Sequence, residues 1–365
     1  MNVLLVGGAG FIGSHIAERL LSDGVHSVTV IDVVEEKIRG LLGHPNLRYL
    51  ELDILEETEK LEDEIIDADV VISLAALVNP GVCLKKPVAV FELNFSANLR
   101  IAMMCLKHDK WLVQFSSGEV YGMSAASAFG TESNDMTYPL NEDESPLMMG
   151  PVRNTQWIYS CAKQMLERVL HAYGMERNLK CTVLRAFNFT GPGFDCNASS
   201  YPGENDNIFC RVMDSLLNGK RPITLTEGGS AVETYTDVDD GVDFVVKLLE
   251  DRGRSSYGEI FNVGHPGNDV STEELARKLC DCFDRNFRQE GDPPRPKIVK
   301  KSSAGDCQGK GYCEGERRIP DNSKSKALLS WEPLHDIDRI VFRVLESGVR
   351  KFRNDQDGSG IRQKI

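Results

Sequence analysis

Short apolar runs alternate with amphipathic stretches along the first half of the chain. The amphipathic stretches at 14–21 and 87–107 repeat apolar residues three and four positions apart, as helices that cover a sheet do. Apolar runs of strand length lie at 2–6, 27–31, 46–52, 69–73, 111–115 and 180–185. Strands and helices that alternate in this order predict an α/β fold built on a doubly wound parallel sheet.

A glycine-rich turn follows the first predicted strand. Gly7, Gly10 and Gly13 have the spacing G-x-x-G-x-x-G. Such glycines permit a tight turn, a close approach of the backbone to a pyrophosphate, and close packing of helix on strand. Asp32 ends the second strand, where a carboxylate accepts hydrogen bonds from ribose hydroxyls and repels a 2′-phosphate. The pattern predicts a Rossmann-type fold that binds NAD in preference to NADP.

A tyrosine and a lysine, Tyr159 and Lys163, lie four residues apart in a stretch with helical character. Residues i and i+4 share one face of a helix. A neighbouring ammonium group stabilises a phenolate, so we expect Lys163 to lower the pKa of Tyr159 toward neutrality. A phenol of this kind takes a proton from a sugar hydroxyl while a nicotinamide takes the hydride. The pair therefore predicts dehydrogenase chemistry.

The rhythm of strands and helices becomes less regular after residue 185. We predict a Rossmann domain formed mainly by 1–185, and a smaller C-terminal substrate-binding lobe formed mainly by 186–350 and interleaved with the sheet. The polar segment 124–154, rich in Met, Ser, Asn and Pro, predicts a long loop over the active site. Residues 351–365 are polar and predict a flexible tail.

Composition narrows the possible partners and the compartment. The 365 residues carry a net charge of −13, which argues against nucleic acid and anionic membranes as partners. No leader peptide and no apolar run long enough to span a bilayer is evident, so we expect a cytoplasmic protein. The ten scattered cysteines lack paired C-x-x-C spacing and are expected to be reduced thiols rather than metal ligands.

The motifs resemble those of the extended short-chain dehydrogenase/reductases that act on nucleotide sugars. The resemblance extends from residue 1 to about residue 350, and the chain is most similar to UDP-glucuronic acid decarboxylases. These include the decarboxylase domain of the bifunctional polymyxin-resistance enzyme and the plant UDP-apiose/UDP-xylose synthases. The motifs that carry the resemblance are the glycine turn, Asp53-Ile54, Leu74-Ala75-Ala76, Ser-Ser-x-x-Val-Tyr-Gly at 116–122, Tyr-x3-Lys at 159–163 and Asn-x-x-Gly-Pro at 188–192.

The resemblance implies a role for each matching residue. Tyr159 would deprotonate the C4 hydroxyl of the sugar, and Lys163 would bind the nicotinamide ribose. Ser117 would hydrogen-bond the same sugar oxygen. Glu119 matches the glutamate of the decarboxylases, and Arg318 matches their arginine near the sugar carboxylate. The implied substrate contacts are Asn188, Tyr312 and Arg318; the implied NAD contacts are Gly7, Gly10, Phe11, Ile12, Gly13, Asp32, Asp53, Ile54, Leu74, Ala75, Ala76, Asn94, Tyr159 and Lys163. No metal is implied.

One departure from the family pattern affects the expected chemistry. Decarboxylases usually have Ser or Thr before the glutamate, 4,6-dehydratases an Asp and apiose synthases a Cys, whereas this chain has Gly118. Glycine donates no proton, so the dehydratase reading is weakened. The apiose reading is weakened further because Val78 stands where those enzymes have a second cysteine.

A second departure affects the expected phosphate contacts. Gly193, Thr224 and Glu233 stand where the relatives have Arg, Lys and Arg. Each replacement removes a charge-assisted bond to phosphate, and Glu233 adds a repulsive charge. Either another cation substitutes, or the substrate carries no nucleoside diphosphate. The candidates for substitution are Arg211, Lys220 and Arg221.

Three functions are consistent with the sequence. The first is NAD-dependent oxidation of a uronic acid sugar at C4 followed by decarboxylation, with UDP-glucuronate or a non-nucleotide uronate as substrate. The second is a 4-epimerase of a (nucleotide) sugar, which needs only Ser117, Tyr159 and Lys163. The third is a non-catalytic NAD-binding protein. We also expect a homodimer that pairs through the helices 87–107 and 155–173.

Overall fold

The structure is a computed structural model that describes residues 1–123, 139–194, 207–219, 221–301 and 317–362. The chain divides into two compact units, here called the first and the second unit. The first unit comprises 1–189, 238–266 and 318–334, and the second comprises 190–237, 267–317 and 335–365. The segments 238–266 and 318–334, which the sequence assigned mainly to the lobe, thus belong with the Rossmann sheet.

A seven-stranded parallel sheet forms the centre of the first unit, which confirms the predicted Rossmann-type fold. The strands of this sheet are β1 (Asn2–Val6), β2 (Ser27–Asp32), β3 (Leu47–Glu51), β4 (Val70–Ser73), β5 (Trp111–Ser117), β6 (Cys181–Ala186) and β11 (Ile260–Val263). Their order across the sheet is β11-β6-β5-β4-β1-β2-β3. The order reverses between β1 and β4, so the carboxyl ends of these strands border a crevice of the kind in which Rossmann folds bind ligands.

Helices cover both faces of this sheet and bury two apolar clusters. One cluster joins α1 and α8 to the sheet through residues such as Ile16 and Phe244, and the other joins α5 and α6 through residues such as Ile101 and Leu166. The helices of the first unit are α1 (Phe11–Ser22), α2 (Thr58–Asp67), α3 (Pro80–Lys85), α4 (Pro87–Phe91), α5 (Asn98–Lys107), α6 (Ile158–Arg177), α8 (Val238–Asp251) and α10 (Ser323–Leu329). Short 3₁₀ helices span Glu36–Leu41, Gly118–Tyr121 and Thr155–Trp157.

The helix predicted at 87–107 contains a π-helical segment, Glu92–Ala97, between α4 and α5. π-helical turns occur frequently at functional sites because they shift the register of the side chains that follow. With a mean hydropathy of 1.2, Pro87–Lys107 is the single stretch among the described residues that is long and apolar enough to cross a membrane. Its α5 part packs on β4 and β5, as a core helix of a Rossmann domain does.

The described residues of the second unit are built around three helices. These are α7 (Ile208–Asn218), α9 (Thr272–Asn286) and α11 (Ile337–Arg362), and they share one apolar core. Asn207 caps the start of α7 and Ser271 caps the start of α9, each through a side-chain oxygen that accepts a backbone N–H. The remaining short strands are β7 (Phe189–Thr190), β8 (Ile223–Leu225), β9 (Val232–Thr234), β10 (Thr236–Asp237), β12 (Asp269–Ser271) and β13 (Ile298–Lys300). A 3₁₀ helix spans Thr226–Gly229.

Part of the segment predicted as a flexible tail lies among the described residues. Residues 351–362 continue α11. Arg353 ties this part of the helix to the rest of the second unit, since its guanidinium donates to the carbonyl of Phe287 at 2.8 Å and approaches Asp292 at 3.2 Å. The flexibility of 351–365 stays a prediction.

Candidate active site

The glycine turn is shaped by close contacts that no side chain would allow. Gly7 has φ +75°, and a Cβ there would lie 2.6 Å from the backbone nitrogen of Ala75. A Cβ at Gly13 would lie 2.5 Å from the carbonyl oxygen of Gly8. At Gly10, by contrast, the nearest atom is the Gly7 carbonyl oxygen at 3.5 Å, so this backbone faces open space. The turn thus fits a pyrophosphate that approaches the start of α1.

The residues after Gly10 form the first turn of α1. Phe11 and Ile12 are half-buried and pack against the core. Their backbone N–H groups belong to the helix N-terminus, where N–H groups lack intrahelical partners and favour an anion. The two predicted contacts therefore offer the cofactor backbone groups, while their side chains anchor the helix.

Asp32 lies beside the glycine turn at the end of β2. One carboxylate oxygen accepts the backbone N–H of Ala9 at 2.9 Å and the other accepts that of Val33 at 2.8 Å. Burial raises the pKa of Asp32, and these backbone hydrogen bonds oppose that shift. The carboxylate therefore braces the turn and retains lone pairs for ribose hydroxyls.

The adenine-side residues lie after β3. Asp53 accepts the backbone N–H of Leu55 at 2.8 Å and so shapes the local turn. Ile54 is only 7% exposed and packs into the core around α2 and α5.

Two asparagines hold the segment that follows β4. Asn94, in the π-helical segment, accepts the N–H of Leu77 at 2.8 Å and donates to its carbonyl at 2.9 Å. Asn98 donates to the carbonyl of Ala75 at 3.1 Å. These bonds hold the segment Leu74-Ala75-Ala76 next to Gly7, the first glycine of the turn. The sequence analysis missed Asn98, although two asparagines four residues apart on an apolar helix were a signal for it.

The predicted catalytic tyrosine and lysine lie on one face of α6, next to the end of β5. Tyr159 is 8% exposed and Lys163 is 2% exposed. The Lys163 Nζ donates to the carbonyl oxygen of Phe115 at 2.8 Å. Ser117, the last residue of β5, hydrogen-bonds Tyr159 through its side chain. The structure thus brings Ser117, Tyr159 and Lys163 together.

The charge states of this pair differ from the expectation. Burial raises the pKa of Tyr159, the Glu119 carboxylate raises it further, and the hydrogen bond from Ser117 opposes them. Burial also lowers the pKa of Lys163 to about 8, against the charge of Glu167. The prediction that Lys163 lowers the pKa of Tyr159 was therefore wrong for this arrangement. Desolvation dominates, and the ammonium group is directed at a backbone carbonyl.

Glu119 lies close to Tyr159, in the 3₁₀ turn that follows β5. Its N–H donates to the Ser117 hydroxyl at 3.1 Å, and its carboxylate accepts from the Ser160 hydroxyl at 3.3 Å. Cys83 packs against Tyr159, and burial together with the Glu119 charge raises the pKa of its thiol to about 11. Neither Ser160 nor Cys83 was singled out by the sequence. Both are protonated groups beside the glutamate.

Gly118 is covered by an aromatic ring. A Cβ at this position would lie 2.9 Å from two ring carbons of Phe187, which is 3% exposed. A serine or threonine hydroxyl would therefore require the ring to move. Asn188, which follows Phe187, has φ +39° and joins β6 to β7.

Arg318 lies beside the end of the 3₁₀ helix Gly118–Tyr121. Its guanidinium Nη2 and Nε donate to the carbonyl oxygen of Gly122 at 3.1 and 3.3 Å. Gly122 itself permits a tight approach of two backbones, since a Cβ there would lie 1.7 Å from the Met148 carbonyl oxygen. Tyr312, the other predicted substrate contact, lies outside the described residues. Within the parts of the chain that the structure describes, no group of three or more His, Cys, Asp or Glu residues forms a metal site.

Comparison with known proteins places the chain in a family. A family model described as the NAD dependent epimerase/dehydratase family matches residues 3–264. The chain is 30% identical to the PbgP3 protein from Burkholderia pseudomallei, with a TM-score of 0.82 and 97% of each chain covered. The chain therefore belongs to the NAD-dependent epimerase/dehydratase family, and its cofactor is NAD, as predicted.

Two more distant structures share the fold. The UDP-glucuronic acid 4-epimerase from Bacillus cereus is 21% identical, with a TM-score of 0.75 and coverage of 96% of this chain and 99% of that one. The dTDP-glucose 4,6-dehydratase from Bacillus anthracis is 21% identical, with a TM-score of 0.73 and 98% of each chain covered. The chain thus carries NAD-dependent chemistry of the sugar epimerase/dehydratase type.

Proposed function

We propose that this family member oxidises a uronic acid sugar at C4 and then decarboxylates it, with UDP-glucuronate as the first substrate to test. The observation that carries the proposal is the bond from Arg318 to the carbonyl of Gly122. It holds a guanidinium group at the end of the turn that carries Ser117 and Glu119. A cation there favours a substrate carboxylate over a neutral hydroxymethyl group, through a charge-assisted hydrogen bond.

In the proposed reaction, Tyr159 first loses its phenol proton to solvent; the phenolate then takes the proton of the C4 hydroxyl, and Ser117 hydrogen-bonds the same oxygen. NAD, when bound, accepts the hydride from C4. The resulting ketone is β to the C5 carboxylate, so the C5–carboxylate bond breaks, CO2 leaves, and the ketone oxygen takes the electron pair as an enolate. C5 then takes a proton, which the Glu119 carboxylate, hydrogen-bonded by the Ser160 hydroxyl, draws from water and delivers, and the ketone re-forms.

A 4-epimerase is the second candidate, and Gly118 is the observation that favours it. Epimerisation moves a hydride away from C4 and back to the opposite face, and it needs no acid beyond Tyr159. The Phe187 ring over Gly118 leaves no room for the hydroxyl that decarboxylases usually carry there. An epimerase would keep the carboxylate.

The second unit bears on whether the substrate carries phosphates. Arg211 donates from Nη1 to the backbone carbonyl of Thr224 at 3.1 Å, so a cation lies beside the backbone of the residue that replaces the expected lysine. This contact supports Arg211 as the substitute and a nucleoside diphosphate as part of the substrate. Lys220, another candidate, lies outside the described residues.

Chromatographic separation of the products followed by mass spectrometry tests the reaction class. The full-length chain with NAD is incubated with UDP-glucuronate, UDP-galacturonate and free glucuronate. Loss of CO2 supports the proposal, isomerisation with the carboxylate retained supports the epimerase, and no change with any uronate contradicts both.

Paired arginine variants test the carrying observation. Arg318→Met should weaken binding of UDP-glucuronate about 10-fold or more relative to UDP-glucose, because only the uronate loses a charge-assisted bond. Arg317→Met is the matched control, since Arg317 forms a surface ion pair with Asp269. Equal effects of Arg318→Met on both sugars would contradict a carboxylate at this position.

Glu119→Gln tests the second half of the reaction. The substitution keeps the shape of the side chain and removes its charge and acid function. We expect CO2 release to slow more than binding weakens, with absorbance of reduced nicotinamide building up during turnover. Product release at the wild-type rate would remove the residue-level support for decarboxylation and favour the epimerase.

A homodimer is proposed on separate grounds. Val88 and Phe91 on α4 are 67% and 40% exposed, and Met165 on α6, which packs against α4, is 52% exposed. Apolar side chains grouped on adjacent helices are typical of a surface that pairs with a second copy.

A further inference from the structure

A buried ion pair lies behind the Tyr159–Lys163 face of α6. Glu167 and Arg185 are 3% and 2% exposed. The Arg185 Nη2 lies 2.8 Å from the Glu167 Oε2, and Nε lies 3.2 Å from Oε2 and 3.3 Å from Oε1, so two guanidinium nitrogens donate to the carboxylate. The guanidinium carbon also lies 4.7 Å from the centroid of the Tyr121 ring.

Glu167 lies on the helix face that carries Tyr159 and Lys163, and it also bonds to the end of β5. Tyr159, Lys163 and Glu167 are spaced four residues apart, so they share one face of the helix. The other Glu167 oxygen accepts a hydrogen bond from the Ser116 hydroxyl. Ser116 stands between Phe115, whose carbonyl accepts the Lys163 ammonium, and the residue that hydrogen-bonds the tyrosine.

A pair of this kind is poorly explained by stability alone. Taking two charges out of water costs about as much as their attraction returns, and apolar pairs of similar size are often as stable. The charge of Glu167, however, acts on Lys163, whose predicted role depends on its protonation. Burial lowers the pKa of Lys163 to about 8, and Glu167 is the carboxylate that opposes this shift.

We propose that Glu167, held in place by Arg185, is a positioning residue of this site. Its negative charge, on the same helix face, favours the ammonium form of Lys163, and its bond to Ser116 fixes the strand end that carries the Phe115 carbonyl and Ser117. Neither function depends on which sugar the protein converts.

Other titratable groups surround this face of α6, and each of them interacts with a residue other than Lys163. Glu119, from the turn after β5, acts on Tyr159 and Cys83. Tyr121, from the same turn, donates its hydroxyl to Asn262 at 2.8 Å. Glu142 accepts from Arg185 only through its backbone carbonyl, at 3.4 Å. Glu167 therefore remains the acidic group that acts on Lys163.

Direct titration of Lys163 tests the proposal without any substrate. The full-length chain is labelled with ¹³C at lysine Cε, and NMR follows the signal over pH; Lys163→Arg identifies it. In Glu167→Gln the titration midpoint should fall by about half a pH unit or more, because the opposing charge is removed. Glu167→Asp keeps the charge and should restore most of the midpoint.

Two further variants separate charge from folding. Asp237→Asn breaks an ion pair within the second unit, between the buried Asp237 and the half-buried Arg343, and should leave the Lys163 midpoint unchanged even where it lowers stability. If Glu167→Gln does not fold, the double variant Glu167→Met/Arg185→Met leaves no buried charge unpaired and should still lower the midpoint. An unchanged midpoint in either folded variant overturns the proposal.

Discussion

Alanine variants at Gly7 and Gly10 of the glycine turn, with Gly24→Ala as a control, distinguish effects on cofactor binding from effects on folding. Gly10→Ala adds a Cβ whose nearest neighbour is 3.5 Å away, at a residue with φ −75°. No strain and no overlap follow, so we expect the free energy of unfolding to change by about 1 kcal/mol or less. The new methyl group nonetheless projects into the space predicted for the pyrophosphate. We expect NAD affinity to fall at least about tenfold, which corresponds to 1.4 kcal/mol.

Gly7→Ala should damage the fold as well as the cofactor site. Adopting φ +75° costs an alanine about 1 kcal/mol. The new Cβ would also lie 2.6 and 2.7 Å from backbone atoms of Ala75, which cannot rotate away, and overpacking of this kind costs about 1–3 kcal/mol more. The expected destabilisation is therefore about 2–4 kcal/mol. Gly24→Ala is the matched control, since Gly24 has φ +68° with no atom within 4 Å of its Cβ, and should cost the strain alone.

Denaturant unfolding and calorimetric titration with NAD measure the two quantities separately. The expected pattern is normal stability with weak NAD binding for Gly10→Ala, low stability for Gly7→Ala, and slightly lowered stability with normal binding for Gly24→Ala. Wild-type NAD affinity in Gly10→Ala would refute the assignment of this turn as the pyrophosphate site.

Four other outcomes are expected. Tyr159→Phe should reduce turnover more than about a hundredfold while NAD still binds in calorimetry, because it removes an acid/base group and little volume; an active variant would exclude the tyrosine mechanism. Asp32→Asn should narrow the preference for NAD over NADP, measured as the ratio of the two affinities, because it removes the charge that repels a 2′-phosphate; an unchanged ratio would show that the carboxylate does not face the ribose. The pKa of Lys163 lies near 8 in the folded chain and near 10.5 in the unfolded one, so the unfolded chain binds more protons between these pH values. The free energy of unfolding of the wild type, relative to that of Lys163→Met, should therefore rise with pH across this window. A difference in free energy of unfolding that does not change with pH would contradict the burial of Lys163. Sedimentation at micromolar concentration should show a dimer that Met165→Glu dissociates, and a monomeric wild type would contradict the proposed interface.

The sequence predicted the sheet well because parallel strands bury both faces. Such strands appear as nearly continuous apolar runs, and six of the seven strands were recognised in this way. The seventh, β11, is only four residues long and follows an irregular region, so no local signal separated it from a loop. The π-helical segment at Glu92–Ala97 was also beyond local patterning, because it differs from an α-helix by one register shift.

The site was predicted where a motif is contiguous and missed where it depends on distant contacts. The glycine turn can be recognised from its spacing, and the Tyr159–Lys163 pair gains its meaning from that turn, because the same spacing is common on helices. Cys83, Ser160 and Arg185 were not found, since each acquires its role from a neighbour many positions away. The charge states were predicted incorrectly for the same reason. A pKa depends on burial, and spacing along a helix contains no information about burial.

The family pattern and the departures from it lie in different parts of the chain. Ser117, Tyr159 and Lys163 belong to the first unit, as do Glu119 and Arg318. The three replaced cations, at positions 193, 224 and 233, all belong to the second unit. The predicted redox chemistry and the predicted phosphate contacts can therefore be tested separately. An enzyme that decarboxylates free glucuronate as fast as UDP-glucuronate would retain the chemistry of its family while the second unit had lost recognition of the nucleotide.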